Sequence, residues 1–276
     1  MKKILIPTDF SPCADAASSI GKWIAGKTGA ELLFLHGLRT PVDWVNLPKR
    51  MEESYPEIKA EIGKAQQQLE DLLKSAEHQG LKAEKSLAFI EGFETIANTV
   101  LDTENDLIVI GSHGNTGFRK FALGSNAEKI MRTAKAPVLA CKQPGEDIRF
   151  DTIVFASGLE PDTHHAFDQL LAFATMVNAQ NLYFVEVTTP YNFKPSSEVM
   201  SKIRAFINAH NFNALNIHNY VHYTIEAGIL DFAHSVGANL IGIANHGRTG
   251  LGGIFVESIP ENILRYGDLP VLSIRV

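Results

Sequence analysis

The chain has 276 residues, a length typical of two globular domains of ~150 residues each. Hydrophobic residues make up 45% of it and charged residues 20%, a balance that excludes a disordered, collagen-like or coiled-coil protein. The formal net charge of −6 provides no basic face to neutralise phosphates, so we predict no interaction with nucleic acid. We also predict a cytoplasmic protein that does not associate with membranes. No stretch approaches the ~20 apolar residues of a membrane span, and the first apolar run stops at Ile6, too early for a signal peptide.

Short runs rich in Val, Ile and Leu alternate with helical patterns through residues 1–143, which is typical of βαβ units and a parallel sheet covered on both faces. The apolar runs predict strands near 3–8, 31–37, 83–89, 106–111 and 137–142. The helical patterns predict helices near 12–28, 56–79, 93–103 and from 126 onward. Ser11 should cap the first helix, with Pro12 at its first position and Gly29 just after its end. Ser125 and Glu128 have the spacing of a capping box for the last helix.

The same pattern then repeats in the rest of the chain. Residues 106–114 (DLIVIGSHG) return as residues 239–247 (NLIGIANHG), an offset of 239 − 106 = 133, and the first strand returns at an offset of 153 − 4 = 149. The second repeat predicts strands near 151–157, 181–187, 217–225, 239–244 and 269–275. We therefore predict an α/β protein with two domains, residues 1–143 and 148–276, joined by a short charged turn segment. Each domain is expected to be a doubly wound, open, parallel five-stranded sheet that binds ligands at the carboxyl ends of its strands.

The loop after the fourth strand has a composition that favours anion binding. It reads Gly111-Ser-His-Gly114, then nine residues, then Gly124-Ser125 at the start of a helix. Glycines let backbone N–H groups approach phosphate oxygens, and a helix amino terminus adds partial positive charge. Arg119 and Lys120 lie within the nine residues and would be cations for a polyphosphate. The alternative interpretation is that the glycines only shape a tight loop and that Ser125 only caps the helix.

This loop matches the G-x2-G-x9-G-(S/T) signature of the universal stress protein family, and the chain resembles two tandem members of that family over nearly all of its length. The resemblance implies a Rossmann-like, adenine-nucleotide-binding fold and a site for ATP, with Mg²⁺ as an additional candidate ligand. It places four residues at the adenosine end, with Gly37 at a position where valine is common in the family: Pro7, Thr8, Asp9 and Gly37. It places Ile110, Gly111, His113 and Gly114 beneath the ribose and phosphates. The phosphates themselves would be held by Gly124, Ser125 and Asn126, together with Arg119.

The second repeat lacks several of these residues. Ala244 replaces Gly111, Glu257 replaces Gly124, and Gly158 replaces Asp9. A carboxylate where a phosphate should bind repels it, so we expect the second repeat to keep the fold without binding ATP in the family's way. The charge distribution agrees with this difference. Residues 1–143 contain 18 basic and 18 acidic side chains, so the remaining 25 − 18 = 7 basic and 31 − 18 = 13 acidic ones give the second repeat the whole net charge.

The sequence favours a nucleotide-binding stress-response protein whose associations with unidentified protein partners change with the bound nucleotide. A slow ATPase is one alternative, although His113 lies within the turn and no general base is evident, so we assign no catalytic residue. The other alternative is an adaptor that acts through its sheet edges without nucleotide.

The fifth strands, residues 136–142 and 269–276, are expected to pair with each other in an intrachain pseudo-dimer, and further assembly into a homodimer stays open. No metal site is predicted. His218 and His222 would share one side of a strand but lie ~13 Å apart, which is too far to bind the same ion.

Overall fold

A computed structural model describes residues 1–92, 94–112, 123–142, 148–159, 163–208, 210, 215–245 and 259–276. The first half (residues 1–142) contains β1 (Lys3–Thr8), α1 (Pro12–Thr28), β2 (Glu31–Arg39), α2 (Lys49–Glu52), α3 (Pro56–Glu77), β3 (Ala83–Ile90), α4 (Ile96–Asp102), β4 (Leu107–Gly111), α5 (Ser125–Thr133) and β5 (Val138–Cys141). The second half (residues 148–276) contains β6 (Thr152–Ala156), α6 (Thr163–Val177), β7 (Asn181–Thr188), α7 (Ser196–Asn208), β8 (Leu215–Val221), α8 (Ile225–Ser235), β9 (Leu240–Asn245), α9 (Ile259–Tyr266) and β10 (Val271–Arg275). The alternation of strands and helices predicted from the sequence is confirmed, and the short helix α2 is an addition to it.

The ten strands of the described residues form one sheet, in the order β3-β2-β1-β4-β5-β10-β9-β6-β7-β8. Neighbouring strands are parallel within each half, and β5 pairs with β10 in the antiparallel sense at the centre of the sheet. In the first half the chain moves outward from β1 through β2 to β3 and then crosses back to β4. The direction of winding therefore reverses between β1 and β4, and such a switch point opens a crevice at the carboxyl ends of the two strands.

Helices cover both faces of this sheet, which explains why the strands read as continuous apolar runs. Side chains alternate between the faces. Ile4 and Ile6 of β1 belong to the core cluster that also contains residues of α1, α3, α6 and α7, whereas Leu5 belongs to the cluster that contains residues of α4, α5, α8 and α9. No helix in the described part of the chain is long and apolar enough to cross a membrane.

The predicted ends of α1 are confirmed, but those of α5 are not. Ser11 Oγ accepts a hydrogen bond from the Ala14 amide at 3.3 Å, and Gly29 ends the helix with a φ of 72°. The capping box at Ser125 is wrong: α5 begins at Ser125 itself and Gly124 is the N-cap. The Glu128 carboxylate that should complete the box pairs instead with Arg132, one turn further along, at 2.6 Å.

Candidate functional site

A cavity of about 380 Å³ opens at the carboxyl ends of β1, β2 and β4, at the switch point of the first half. Twelve residues were assigned to a nucleotide site from the sequence, and nine of them belong to the described residues. All nine line this cavity: Pro7, Thr8, Asp9, Gly37, Ile110, Gly111, Gly124, Ser125 and Asn126. The remaining three, His113, Gly114 and Arg119, lie outside the described residues. The structure thus brings together residues that are up to 119 positions apart in the sequence (126 − 7 = 119), while their binding roles stay predictions.

The wall formed by β1 ends in a tight turn that fixes Asp9. Phe10 adopts the left-handed region at φ 59°, which is uncommon for a side chain of this size, and its amide donates to Thr8 Oγ1 at 3.0 Å. Asp9 Oδ1 accepts from the Ser11 amide at 3.1 Å, so the carboxylate is held at the start of α1.

The second half builds the same turn. Leu159, the counterpart of Phe10 (159 − 149 = 10), has a φ of 64°, and its amide donates to Ser157 Oγ at 3.0 Å. The left-handed residue is therefore a requirement of the fold in both halves. The two halves differ at the residue before it, where the first half has the carboxylate of Asp9 and the second half has Gly158, which offers a ligand no side chain.

Gly111 at the end of β4 permits a close approach between the strand and α1. A Cβ at this position would lie 2.6 Å from the Cys13 carbonyl carbon and 2.7 Å from its oxygen. Backbone atoms cannot move aside as a flexible side chain can, so only glycine lets the amino end of α1 pack here. Ala14, in the first turn of α1, lines the cavity as a result.

The amino terminus of α5 forms the opposite wall. The Gly124 amide donates to the Ser112 carbonyl at 2.9 Å, which ties the start of α5 to the residue that follows β4. Because Ser125 is the first helical residue and not the cap, it lines the cavity together with Asn126 at the positive end of the helix dipole. This end of the cavity has the character of an anion site.

The floor at the end of β2 differs from the pattern expected for the family. A Cβ on Gly37 would lie 2.5 Å from Ile90 Cδ1 and 2.7 Å from Ile96 Cδ1, so these isoleucines occupy the space that a valine side chain would need. In the second half the counterpart is Val187 (187 − 150 = 37), and a Cβ on Gly228 would meet its Cγ1 at 2.6 Å. In both halves this contact pairs a glycine with larger side chains. The glycine lies on the strand in the first half (Gly37 of β2) and on the helix in the second half (Gly228 of α8).

Several lining residues were not assigned to the site from the sequence, and except for Ser112, which lies within the Gly111–Gly114 motif, no motif identifies them. They are Ala14, Arg39, Ile90, Thr95, Ile96, Ser112, Ala127 and Ile130. Arg39 is the only cation among the described lining residues, and its guanidinium donates to the Gly92 carbonyl at 2.6 Å. Thr95 Oγ1 is buried, and no protein partner for it is found in the described part of the chain. Among the described lining residues, a ligand in this cavity would therefore meet one carboxylate and one guanidinium.

Two residues of the second half whose counterparts lie near the amino terminus of α5 contact the first half. Asn245, the counterpart of Ser112 (245 − 133 = 112), is buried and donates to the Met131 carbonyl of α5 at 2.9 Å. Glu261, the counterpart of Glu128, forms a bidentate ion pair with Arg132 of α5 at 2.5 and 2.6 Å. Glu257 lies outside the described residues. The second half thus holds the last turn of the helix whose first turn lines the cavity.

The described histidines of the second half make separate contacts and do not converge on one site. His210 Nδ1 lies 2.6 Å from Asp168 Oδ1 and its Nε2 lies 2.7 Å from His164 Nδ1, whereas His218 contacts the ring of Phe232. Within the residues that the structure describes, no group of three or more His, Cys, Asp or Glu side chains is placed to hold a metal ion.

The model of the universal stress protein family matches residues 1–142 and 216–275 of the chain. A universal stress protein of Synechocystis sp. is 25% identical over 295 aligned positions, which cover 100% of both chains. One from Methanocaldococcus jannaschii is 33% identical over 151 positions, covering 53% of this chain and 85% of the relative.

Solved structures show the same architecture. A universal stress protein from Archaeoglobus fulgidus superimposes with a TM-score of 0.72 at 18% identity, covering 99% of this chain and 98% of the other. A second, from Pseudomonas aeruginosa, gives a TM-score of 0.65 at 19% identity and covers 100% and 93% of the two chains. At these identities the likeness describes the fold of the complete chain.

Proposed function

The chain belongs to the universal stress protein family, and we propose that it binds ATP or a related adenine nucleotide in the cavity of its first half. The observation that carries this proposal is the cavity at the switch point between β1 and β4, where nine residues assigned from the sequence motifs are brought together. Ligands of doubly wound sheets bind at this place.

The two ends of the cavity suit the two ends of a nucleotide. Ile90, Ile96 and the bare backbone of Gly37 provide an apolar surface for a base. At the other end, the amino terminus of α5 presents Ser125 and backbone amides to the phosphates.

Mg²⁺ fits this arrangement as an ion held mainly by the nucleotide. It prefers oxygen ligands and is usually bound by phosphates and one or two protein groups. Ser125 Oγ and the Asp9 carboxylate are oxygen donors among the lining residues. When bound, the ion would neutralise part of the phosphate charge, because Arg39, the only lining cation among the described residues, cannot balance it alone.

We propose binding without efficient hydrolysis. Among the described lining residues, Asp9 is the only carboxylate, and its Oδ1 already accepts a hydrogen bond from the Ser11 amide. Fast phosphoryl transfer requires a residue that positions the attacking water, in addition to charge neutralisation. In the second half we propose a structural and interaction role, supported by the contacts that Asn245 and Glu261 make with α5.

The test is equilibrium binding of a fluorescent ATP analogue to three proteins: wild type, Gly124→Glu and Gly124→Gln. Gly124 has φ −66° and ψ 139°, which any residue can adopt, so neither change strains the backbone. A carboxylate about 4 Å from a phosphate costs between ~1 and ~4 kcal/mol, and a middle value of about 2 kcal/mol weakens binding about 30-fold.

Glutamine has the same size without the charge, so Gly124→Gln should weaken binding by much less than Gly124→Glu. Circular dichroism establishes that both variants fold. The proposal is contradicted if Gly124→Glu binds the analogue as tightly as wild type does, or if wild type does not bind it at all. Competition by unlabelled GTP tests the base: if GTP displaces the analogue as well as ATP does, the adenine assignment is wrong.

A further inference from the structure

The ten-stranded sheet has two edges, formed by β3 in the first half and by β8 in the second half. Each is the third strand of its half, so the two strands are counterparts. In the first half, Leu38 of β2 lies beside Phe89 of β3. In the second half, Thr188, the counterpart of Leu38 (188 − 150 = 38), lies beside Val221 of β8. Val221 therefore occupies the place that Phe89 has in the first half.

A long connection covers this place in the first half. Residues 40–82 join β2 to β3, and the ring of Trp44 among them lies 6.5 Å from the ring of Phe89 and 6.3 Å from that of Tyr55, measured between centroids. The connection from β7 to β8, residues 189–214, has 214 − 188 = 26 residues instead of 82 − 39 = 43. The second half therefore has no connection of comparable length to place over β8.

Four large apolar side chains are exposed at this corner of the second half. They are Tyr191 and Phe193, which follow β7, and Val221 and Tyr223, at the end of the neighbouring strand β8. Val221 is 66% exposed, whereas Phe89 in the equivalent place is half-buried. Apolar side chains grouped on a surface are typical of a site that another molecule covers.

The two edge strands also differ in charge. β3 carries Glu84 and Lys85, which pair with Lys3 and Glu70 respectively. Charged side chains on an edge strand keep other strands away, because pairing would desolvate them. The second half has no Asp, Glu, Lys or Arg anywhere in residues 205–225, a segment that includes all of β8. The outer edge of β8 is thus without the charges that protect β3.

The backbone of β8 shows which groups face outward. The His222 amide donates to the Thr188 carbonyl of β7 at 3.0 Å. Backbone groups alternate in direction along a strand, so the amides and carbonyls of Ile217, Asn219 and Val221 point away from β7. Among the described residues, no strand pairs with this side of β8. Such a row of backbone donors and acceptors is a template for a further strand.

The centre of the sheet shows how this fold pairs equivalent strands. β5 and β10 run antiparallel, and Leu139 lies opposite Leu272, its own counterpart in the repeat (272 − 139 = 133). An approximate two-fold axis therefore passes through this pair. Two copies of β8 related by a two-fold axis would make the same kind of contact. Asn219 would lie at that axis, because it is the middle one of the three outward-facing residues.

The uncharged segment favours a second copy of the chain over a different protein. A two-fold axis brings each residue near the same residue of the other copy, so a charged side chain there would meet its own sign. A different protein can balance a charge with the opposite one and does not require a neutral strand.

We propose that β8 is a dimerisation edge, to which β8 of a second copy adds in the antiparallel sense. The two sheets become continuous, with Asn219 opposite Asn219 and Ile217 opposite Val221 of the second copy. Pairs of β-branched residues stabilise strand pairing, and the exposed ring of Tyr223 extends the contact beyond Val221. The surface belongs to the second half and is independent of the nucleotide cavity.

The experiment is sedimentation equilibrium of the full chain between ~5 and ~500 µM, the range in which a small interface associates. Wild type should change from monomer to dimer across this range. Val221→Lys places an ammonium on the edge and should weaken the association about tenfold, because pairing desolvates the charge on both copies. The matched control is Tyr266→Lys in α9, at a side chain that is 65% exposed, and it should associate like wild type.

Asn219→Lys and Asn219→Glu test the position of the axis. Each variant alone should stay monomeric, because like charges face each other, whereas an equimolar mixture should dimerise with opposite charges across the axis. Asn219 hydrogen-bonds to Thr188 and Ser196 at 2.7 and 3.2 Å, so circular dichroism monitors whether the variants fold. If either does not fold, the comparison of Val221→Lys with Tyr266→Lys decides the proposal.

Amide hydrogen exchange identifies what covers the edge. The outward amides of Ile217, Asn219 and Val221 should exchange quickly in dilute wild type and more slowly as its concentration rises. The proposal is overturned if they exchange slowly in the monomer, since a segment of the same chain would then cover the edge. It is equally overturned if wild type stays monomeric throughout or if Val221→Lys and Tyr266→Lys associate equally well. Folded Asn219 variants that associate no better when mixed would also overturn it.

Discussion

Replacing Glu261 by glutamine removes the charge of one partner from the ion pair that joins α9 to α5. Glu261 is 1% exposed, and its two oxygens accept from Nε and Nη2 of Arg132 at 2.5 and 2.6 Å. Arg132 also contacts Glu128 at 2.6 Å, but that carboxylate is 33% exposed. The same guanidinium therefore has one buried and one solvated partner, and the repeat makes these two glutamates counterparts of each other (128 + 133 = 261).

Removing the charge of Glu261 should lower the free energy of unfolding several times more than removing the charge of Glu128. Removing one member of a buried, hydrogen-bonded ion pair costs about 3–5 kcal/mol, because the other charge stays desolvated. The Arg132 side chain is 19% exposed and retains Glu128, so we expect Glu261→Gln to cost about 3 kcal/mol, at the lower end of that range. Glu128→Gln breaks a pair between residues four apart on a helix surface, which is worth about 0.5 kcal/mol.

The assay is urea unfolding at neutral pH, followed by far-UV circular dichroism, with the free energy of unfolding taken from the midpoint at constant slope. A third protein carries both Arg132→Met and Glu261→Leu. Replacing both charges by apolar groups should recover most of the stability lost in Glu261→Gln, since no unpaired buried charge remains. If Glu261→Gln and Glu128→Gln lower the free energy of unfolding equally, the ion pair across the interface is not the buried contact that we describe.

Three further predictions concern other parts of the chain. A thiol reagent at pH 8 should modify Cys13 and leave Cys141 unmodified until urea unfolds the protein, because burial raises the pKa of the Cys141 thiol to about 12; mass spectrometry counts the labels. Gly37→Val should lower the free energy of unfolding by about 1–3 kcal/mol through its contact with Ile96, and Ile96→Ala in the same chain should recover part of this loss in a urea titration. Backbone hydrogen bonds hold the pKa of Asp106 below its usual value, so its contribution to stability is present above pH ~4 and is lost as the pH falls further through the folded-state pKa. Asp106→Asn should therefore make the acid unfolding profile less steep, and an unchanged profile would contradict this assignment.

The strands and most of α1 could be predicted from the sequence because local residues determine them. Apolar runs separated by Gly, Pro and Ser define the strands, and Ser11 and Gly29 mark the ends of α1 in the sequence itself. The same reasoning was wrong at α5, where Ser125 and Glu128 have the spacing of a capping box. There the helix begins at Ser125 itself with Gly124 as its N-cap, and the Glu128 carboxylate pairs with Arg132, an interaction that the capping pattern does not take into account.

The candidate site was predictable where one segment carries its motif, and unpredictable where separate strands meet. The glycines at 111 and 124 lie in a recognisable spacing, whereas Arg39 reaches the cavity because it is at the end of β2, in register with Ile90 of β3. This register depends on pairing between strands some 50 residues apart (90 − 39 = 51).

The two halves differ in what the residues at equivalent positions of the fold contact. Asn245 and Glu261 stand where the first half has Ser112 and Glu128, and each of them contacts α5 across the interface. This nine-residue helix has its first turn at the cavity of the first half and its last turn against the second half. A change in the position of either end must be transmitted along the hydrogen-bonded backbone, because a helix of this length behaves as a stiff element. The position that lines the cavity as Ser112 in the first half is thus occupied in the second half by Asn245, which contacts the helix that forms one wall of that cavity.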